Sequence, residues 1–185
     1  MDLSTLRHAF VTGGASGIGL GIADALAKRG LKVTLADVNA QALAAALADR
    51  GPQFRGAALD VRDRAQWQAA KQQAAAAFGP VDLLVNNAGI APDGRDLADS
   101  DPESFERIIA INLMGVYNGI HTFAAGLRAA GHGYILNVAS MAGLMTAVPG
   151  CGAYSAAKFA VVSLSENLRS ELSKRGVGVS VFCPG

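Results

Sequence analysis

The chain is 185 residues long, 51% hydrophobic and 17% charged, with a formal net charge of +1. That length and apolar content suffice for one domain with a large core, and the near-neutral charge without basic clusters argues against a nucleic-acid partner. No uninterrupted run reaches the roughly eighteen apolar residues that span a bilayer, and the stretch Met1 to His8 lacks the apolar centre of a secretory signal, so neither membrane insertion nor export is expected.

Strand-like and helix-like segments then alternate along the chain. Strands are predicted near 8–12, 32–37, 54–60, 81–86, 133–139 and 177–182, and helices near 17–30, 39–50, 63–79, 101–130 and 152–175. Asp63 is placed to cap the third helix and Gly79-Pro80 to stop it, while Ser100-Asp101-Pro102-Glu103 reads as a helix start. The alanine tracts at 42–48 and 74–77 read as helices packed on a sheet rather than as linkers. No linker or repeat divides residues 1–185, which are expected to form a single domain. Because crossovers are right-handed, the alternation implies an α/β, doubly wound parallel sheet with ligands at the carboxyl ends of its strands. Strands covered on both faces are nearly continuously apolar, which accounts for the positive mean hydropathy.

The first strand runs into Thr12-Gly13-Gly14-Ala15-Ser16-Gly17-Ile18-Gly19 and opens an alanine-rich helix. Glycines let a backbone turn sharply and approach a ligand, and the amides of the following helix N-terminus suit a pyrophosphate. The spacing Gly-x-x-x-Gly-x-Gly differs from the more familiar Gly-x-Gly-x-x-Gly. The second strand ends in Asp37, eighteen residues after Gly19, where a carboxylate can accept from both hydroxyls of an adenosine ribose and would repel a 2'-phosphate. No Lys or Arg stands in the glycine turn or just after Asp37, so NAD is expected over NADP; a solvated turn aspartate is the bland alternative.

The run Tyr154-Ser-Ala-Ala-Lys158 puts a phenol and an ammonium four residues apart, on one face of a helix. A free phenol titrates near ~10 and exchanges protons poorly at neutral pH; a neighbouring ammonium favours its ionised form. Ser140, fourteen residues upstream at the end of a strand-like run, is placed to hold an oxygen that the tyrosine protonates or deprotonates. These residues suit proton transfer to an alcohol or a carbonyl, although an isolated Tyr-x-x-x-Lys also arises by chance.

Taken in order, these motifs resemble the short-chain dehydrogenase/reductase family in its compact branch, over essentially the whole chain. Thr12 to Gly19, with Gly13, Ser16, Gly17, Ile18 and Gly19, is similar to the family's cofactor turn. Asp60-Val61 resembles the pair that meets the adenine, and Asn86-Asn87-Ala88-Gly89 its internal motif after the fourth strand. Asn112, Ser140, Tyr154 and Lys158 match the catalytic tetrad, and Pro184-Gly185 the turn after the sixth strand. The resemblance implies a Rossmann-like sheet of strand order 3-2-1-4-5-6. It also implies an NAD-dependent interconversion of a secondary alcohol and a ketone, with Tyr154 as general acid/base and Ser140 positioning the oxygen. Lys158 would hold the nicotinamide ribose, and Asn112 would anchor a water through its main chain near a helix bend. The Ser-to-Tyr gap is one residue longer than is commonest, which the loop Val148-Pro-Gly-Cys-Gly152 accommodates.

Family members usually continue past the sixth strand with a loop and helices over the substrate and then a seventh strand. The chain stops at Gly185, so a domain lacking its C-terminal substrate-loop segment and seventh strand is expected. A catalytically silent NAD-binding or regulatory protein on the same fold is the alternative function, and dehydration or epimerisation a third. Apolar residues from Ala139 to Val148, with Ile90, Ala91 and Pro92, suggest a small hydrophobic alcohol or ketone substrate; core packing explains them equally well. The resemblance also suggests a homodimer or homotetramer packed through the helices near 101–130 and 152–175. Cys151 and Cys183 form no metal motif and are expected to be free thiols in a reducing cytoplasm. His8, His121 and His132 show no ligand spacing, so no metal is expected.

Overall fold

The computed structural model of the chain describes residues 3–145 and 149–185. Met1 and Asp2, and Thr146 to Val148 of the apolar run and of the loop before Tyr154, lie outside the described residues. Six strands form one parallel sheet: β1 (His8–Thr12), β2 (Lys32–Asp37), β3 (Phe54–Ala58), β4 (Leu83–Asn86), β5 (Gly133–Val138) and β6 (Val177–Phe182), in the order β3-β2-β1-β4-β5-β6. The helices between them are α1 (Gly17–Lys28), α2 (Ala40–Ala48), α3 (Arg64–Phe78), α4 (Pro102–Ile109), α5 (Gly115–Ala130) and α6 (Gly152–Leu172). The alternation and the strand order expected from sequence are both present.

Side chains of one strand alternate between two cores. Phe10, Leu84 and Ile135 point to one face, where Trp67 and Phe123 pack edge-on and tilted against Phe10 and each other. Val11, Leu35 and Val85 point to the other, beneath Ala23 of α1 and Leu43 of α2. On that second face, Leu83, Tyr134 and Leu136 line a cavity of about 650 Å³ beside Leu26 of α1. His8 is buried in β1 with both ring nitrogens engaged, Nδ1 to the Gly79 carbonyl and Nε2 to the Thr34 hydroxyl, each at 2.9 Å, and burial lowers its pKa. Its role is structural.

Helix ends follow the local chemistry. The Asp63 carboxylate accepts the Ala65 and Gln66 amides to start α3, and Asp101 does the same for Glu103 and Ser104 with Pro102 in the first turn of α4. Gly79 at φ +82 ends α3, and Gly131 at φ +63 ends α5. The helix expected at 101–130 differs from its sequence reading. Between α4 and α5 the turn Ala110–Met114 widens into a π-helical turn carrying Asn112, because one residue too many is accommodated without ending the helix. By length and composition the run Pro102–Ala130 is long and apolar enough to cross a membrane; here it packs Val116, Phe123 and Leu127 into the core, as a core helix of that length does.

Candidate active site

A cleft of about 550 Å³ lies along the carboxyl ends of the strands. Its floor begins at the glycine turn. Gly13 and Gly17 adopt φ of +60 and +52, which L side chains rarely take up, and a Cβ on Gly13 would stand 2.9 Å from the Ala88 Cα. A Cβ on Gly19 would collide with the Gly13 carbonyl, so Gly19 lets α1 fold back under the turn rather than lining the cleft. Ser16 precedes α1 without capping it, whereas Asn39, Asp63 and Asp101 cap α2, α3 and α4. The open N-terminus of α1 faces a cleft lined by Ser16, Gly17 and Ile18, which suits an anion.

Two residues fasten this turn to the loop after β4. The Thr12 hydroxyl accepts the Asn87 and Ala88 amides at 2.9 and 3.0 Å and donates to the Val85 carbonyl at 3.3 Å. The Asn87 side-chain amide donates back to the Thr12 and Gly13 carbonyls at 3.0 and 3.2 Å. Asn87, a cofactor-binding candidate from sequence, lines the cleft, and its side chain is a strut between the two loops that border it. Thr12 is named in the sequence only as the start of the glycine turn; its bridging role is not legible there, because its partners Asn87 and Ala88 stand far along the chain.

At one end of the cleft stands Asp37, whose carboxylate accepts the Ala15 amide at 3.2 Å and the Asn39 amide at 3.0 Å. Beside it β3 runs out into Leu59, Asp60 and Val61, where the strand expected to reach 60 stops at Ala58. The Val61 carbonyl is held by the Trp67 indole at 2.9 Å and the Asn118 amide at 3.0 Å, and Gly115 lets α5 approach the Val61 side chain. Asp60 is engaged by Arg62, which also lines the cleft and which sequence reading passed over. Its position two residues beyond Asp60 was the available signal. That guanidinium holds the Asp60 carboxyl below the usual carboxylate range.

Tyr154, Lys158, Val138 and Ala139 line the other end, with Pro184. Lys158 is buried at 4% exposure, with Nζ donating to the Val138 carbonyl at 3.0 Å and lying 5.6 Å from the centre of the Tyr154 ring. Burial lowers its pKa to about 8. Asn112 sits behind this end and does not line the cleft: its Oδ1 accepts the Ile90 amide at 2.8 Å and its Nδ2 donates to the Ile90 carbonyl at 2.9 Å. Gly89 joins the two, since a Cβ there would lie 3.2 Å from Asn112 Oδ1 and 3.6 Å from Lys158 Nζ.

Ser140 and Gly185 also fall outside the lining. The Ser140 hydroxyl accepts the Ala142 amide at 3.2 Å, and no hydrogen bond joins it to Tyr154 among the described residues. The turn Met141–Gly143 that follows is pressed onto α6, where a Cβ on Gly143 would stand 2.7 Å from the Lys158 carbonyl oxygen. Met141 donates to the Pro184 carbonyl at 2.8 Å, which ties the same turn to the end of β6. The sequence-predicted residues thus converge on one cleft and its immediate backing.

Six parallel strands in this order, with a glycine turn after the first and the cleft at their carboxyl ends, define a Rossmann-like α/β protein. The sequence profile of the short chain dehydrogenase family matches residues 7–185, and the chain belongs to that family. It is 40% identical over 181 residues to a C alpha-dehydrogenase of Sphingobium sp., covering 95% of this chain and 59% of the relative. A short chain dehydrogenase/reductase of Burkholderia phymatum, solved in complex with NAD, superposes with a TM-score of 0.92 at 38% identity over 100% of this chain and 67% of its own. An actinorhodin polyketide ketoreductase variant, solved with NADPH, superposes with a TM-score of 0.92 at 35% identity, over 100% of this chain and 72% of its own. The chain therefore spans about three fifths to three quarters of the length of these relatives.

Proposed function

We propose that the chain forms the cofactor-binding and catalytic part of an NAD-dependent oxidoreductase that interconverts a hydrophobic secondary alcohol and its ketone. The observation that carries this reading is the pairing of Lys158 with Tyr154 at one end of a cleft whose other end holds the Asp37 carboxylate. The cleft fits a dinucleotide by its polar groups: a carboxylate that accepts from ribose hydroxyls, an uncapped helix end that donates to a pyrophosphate, and a buried ammonium that donates to the second ribose. Nicotinamide, when bound, supplies or accepts the hydride.

The chain's residues do the rest. Tyr154 exchanges the proton at the substrate oxygen, and the Lys158 ammonium, 5.6 Å from its ring, stabilises negative charge developing on the phenol. The Ser140 oxygen accepts the Ala142 amide and keeps its own O–H to donate to the substrate oxygen. Asn112 holds the loop at Ile90 and Gly89 against Lys158, and its main chain in the π-helical turn anchors a water leading from Lys158 to solvent. Asp37 favours NAD. Structural relatives solved with NAD and with NADPH share this fold, so the preference rests on that carboxylate.

Exposed Met141, Leu144 and Met145 beside Ser140 support an apolar substrate. Met114, Tyr117 and Phe159, exposed on α6 and on the run from α4 to α5, support a homodimer or homotetramer through these helices. The free thiols Cys151 and Cys183 suit a cytoplasmic setting. The test is a titration with NADH and NADPH followed by nicotinamide fluorescence, then a screen of apolar secondary alcohols with NAD. NADH-selective binding with turnover is expected. Binding without turnover would favour the silent dinucleotide-binding reading, and NADPH-selective binding would overturn the role of Asp37.

A further inference from the structure

The adenosine end of the cleft carries two carboxylates and one guanidinium. Among the residues lining the whole cleft the cations are Arg62 and Lys158, and Lys158 stands at the opposite end beside Tyr154. Asp37 and Asp60 stand near the ends of neighbouring strands: Asp37 pairs in register with Ala58, and the Leu59 amide donates to the Asp37 carbonyl at 3.0 Å. Asp37, Val38, Asp60 and Arg62 line the same cleft, which puts the Arg62 guanidinium at the end that Asp37 occupies. The sequence places no other Lys or Arg in the glycine turn or just after Asp37.

Arg62 is not free to act there. Its Nε bonds both Asp60 oxygens, at 2.9 and 3.0 Å, its Nη2 bonds Oδ2, and its own amide donates to Oδ1 at 3.0 Å. Asp60 is itself fixed, since its amide donates to Gln66 Oε1 at 2.8 Å and its carbonyl accepts the Asp63 amide at 3.0 Å. A planar fork held on both carboxylate oxygens is pre-organised for that one partner. The Arg62 side chain is nonetheless 51% exposed, so the pair is open to exchange and the guanidinium would turn to another anion if its carboxylate were neutralised.

We infer that Asp60 is a cofactor-specificity residue: by holding Arg62 it withholds from a ribose 2'-phosphate the one cation that could offset Asp37. The inference rests on the proposed reading of this cleft as a nicotinamide dinucleotide site. Specificity here combines repulsion by Asp37 with removal of an attractive partner, the second of which acts without touching the phosphate.

The test is a set of four chains titrated with NADH and NADPH at low ionic strength: the natural protein, Asp60→Asn, Arg62→Ala and the double variant. Asp60→Asn is expected to narrow the NADH-over-NADPH preference about tenfold, the value of a hydrogen bond to a charged group, mainly through tighter NADPH. The double variant should return to within about twofold of the natural ratio, because the gain comes from the released guanidinium. Added salt should erase the gain. Arg62→Ala alone leaves the Asp60 carboxylate unpaired at the same end of the cleft as Asp37, so NADPH should bind no more tightly than to the natural protein, and any loss should shrink with added salt and be absent from the double variant. Tighter NADPH binding by Arg62→Ala overturns the inference. So does an Asp60→Asn ratio equal to that of the natural protein, or a gain that persists in the double variant. A natural protein that binds neither cofactor, or prefers NADPH, sinks the dinucleotide reading and this inference with it; NADH preference without the variant effects sinks the inference alone.

Discussion

Asn112 takes both backbone hydrogen bonds of Ile90, accepting from its amide at 2.8 Å and donating to its carbonyl at 2.9 Å, from within the π-helical turn that separates α4 from α5. A side-chain amide satisfying a backbone amide in this way acts as a fragment of strand inserted into a loop. Gly89 is drawn in beside it, so that the loop after β4 passes close to Lys158. The wider turn brings the amide inward, and a regular helix would rotate it by part of a turn.

Asn112→Ala should therefore cost more than a buried polar truncation with no consequence for the cleft. Leaving the Ile90 amide and carbonyl unpaired is expected to cost on the order of 1–3 kcal/mol in urea unfolding. NADH affinity should fall as well, because the loop before Ile90 loses its brace. Asn112→Asp keeps the acceptor but sets a carboxylate against the Ile90 carbonyl, so it should not restore stability. Full stability in the alanine variant would rule out the bracing role.

Lys158 carries a cost in the unliganded protein. Its pKa is about 8 in the fold against 10.5 for an ordinary lysine, a difference of about 3 kcal/mol. Because the folded value is lowered, the unfolded chain binds more protons between those two pH values. Stability attributable to this group therefore rises as pH increases from about 8 to 10.5, and below 8 the cost is present in full. Lys158→Met should raise stability at pH 7 by roughly 1–2 kcal/mol, less than the whole difference because the bond to the Val138 carbonyl is lost. The gap between the two proteins should close toward pH 10. A gap that does not change with pH would refute the desolvation account.

Much of this was legible in the sequence, and the illegible parts share a cause. Phe10, Leu84 and Ile135 sit in strands buried on both faces, which read as largely apolar runs ending before Gly13, at Asn86 and before Ser140. Asp63 and Gly79 announce the ends of α3 through chemistry confined to a few residues. The π-helical turn at Asn112 has no such local mark: a bend near Asn112 comes only from the family resemblance, and the Asn112 side chain answers to Ile90, twenty-two residues away. The Thr12 bridge to Asn87 depends likewise on a sheet neighbour. Arg62 is near Asp60 in sequence, but only the turn geometry shows that one carboxylate occupies it. Ser140 is singled out in the sequence by its place after a strand, whereas its bond to the Ala142 amide and its position outside the cleft lining depend on the turn that follows.

Thr12 offers a sharper test of the coupling between the two loops that line the cleft. Thr12→Val keeps the shape and removes the oxygen that two amides and one carbonyl share. Two part-buried amides without an acceptor should cost about 2 kcal/mol or more, and NADH should bind several-fold more weakly as Gly13 and Ala88 lose their common anchor. Thr12→Ser retains the hydroxyl and should recover most of both quantities. If valine binds NADH as well as threonine does, the glycine turn is held by Asn87 alone.

The proton-transfer role separates from cofactor binding at Tyr154. Tyr154→Phe removes one oxygen and leaves the ring beside Lys158, so the ammonium keeps its bond to Val138 and its place at the ribose end of the cleft. NADH affinity should change by less than about twofold, while turnover of a secondary alcohol should fall by roughly 10²–10⁴-fold, the usual contribution of a positioned acid/base group. Ser140→Ala should lower turnover less severely and also leave NADH affinity intact, because its hydroxyl lies outside the cleft lining. Lys158→Met should lose both binding and turnover. A tyrosine-less protein that turns over near the natural rate, with its fold confirmed by circular dichroism, would move the proton exchange to another group, and Ser140 would then be the first to examine.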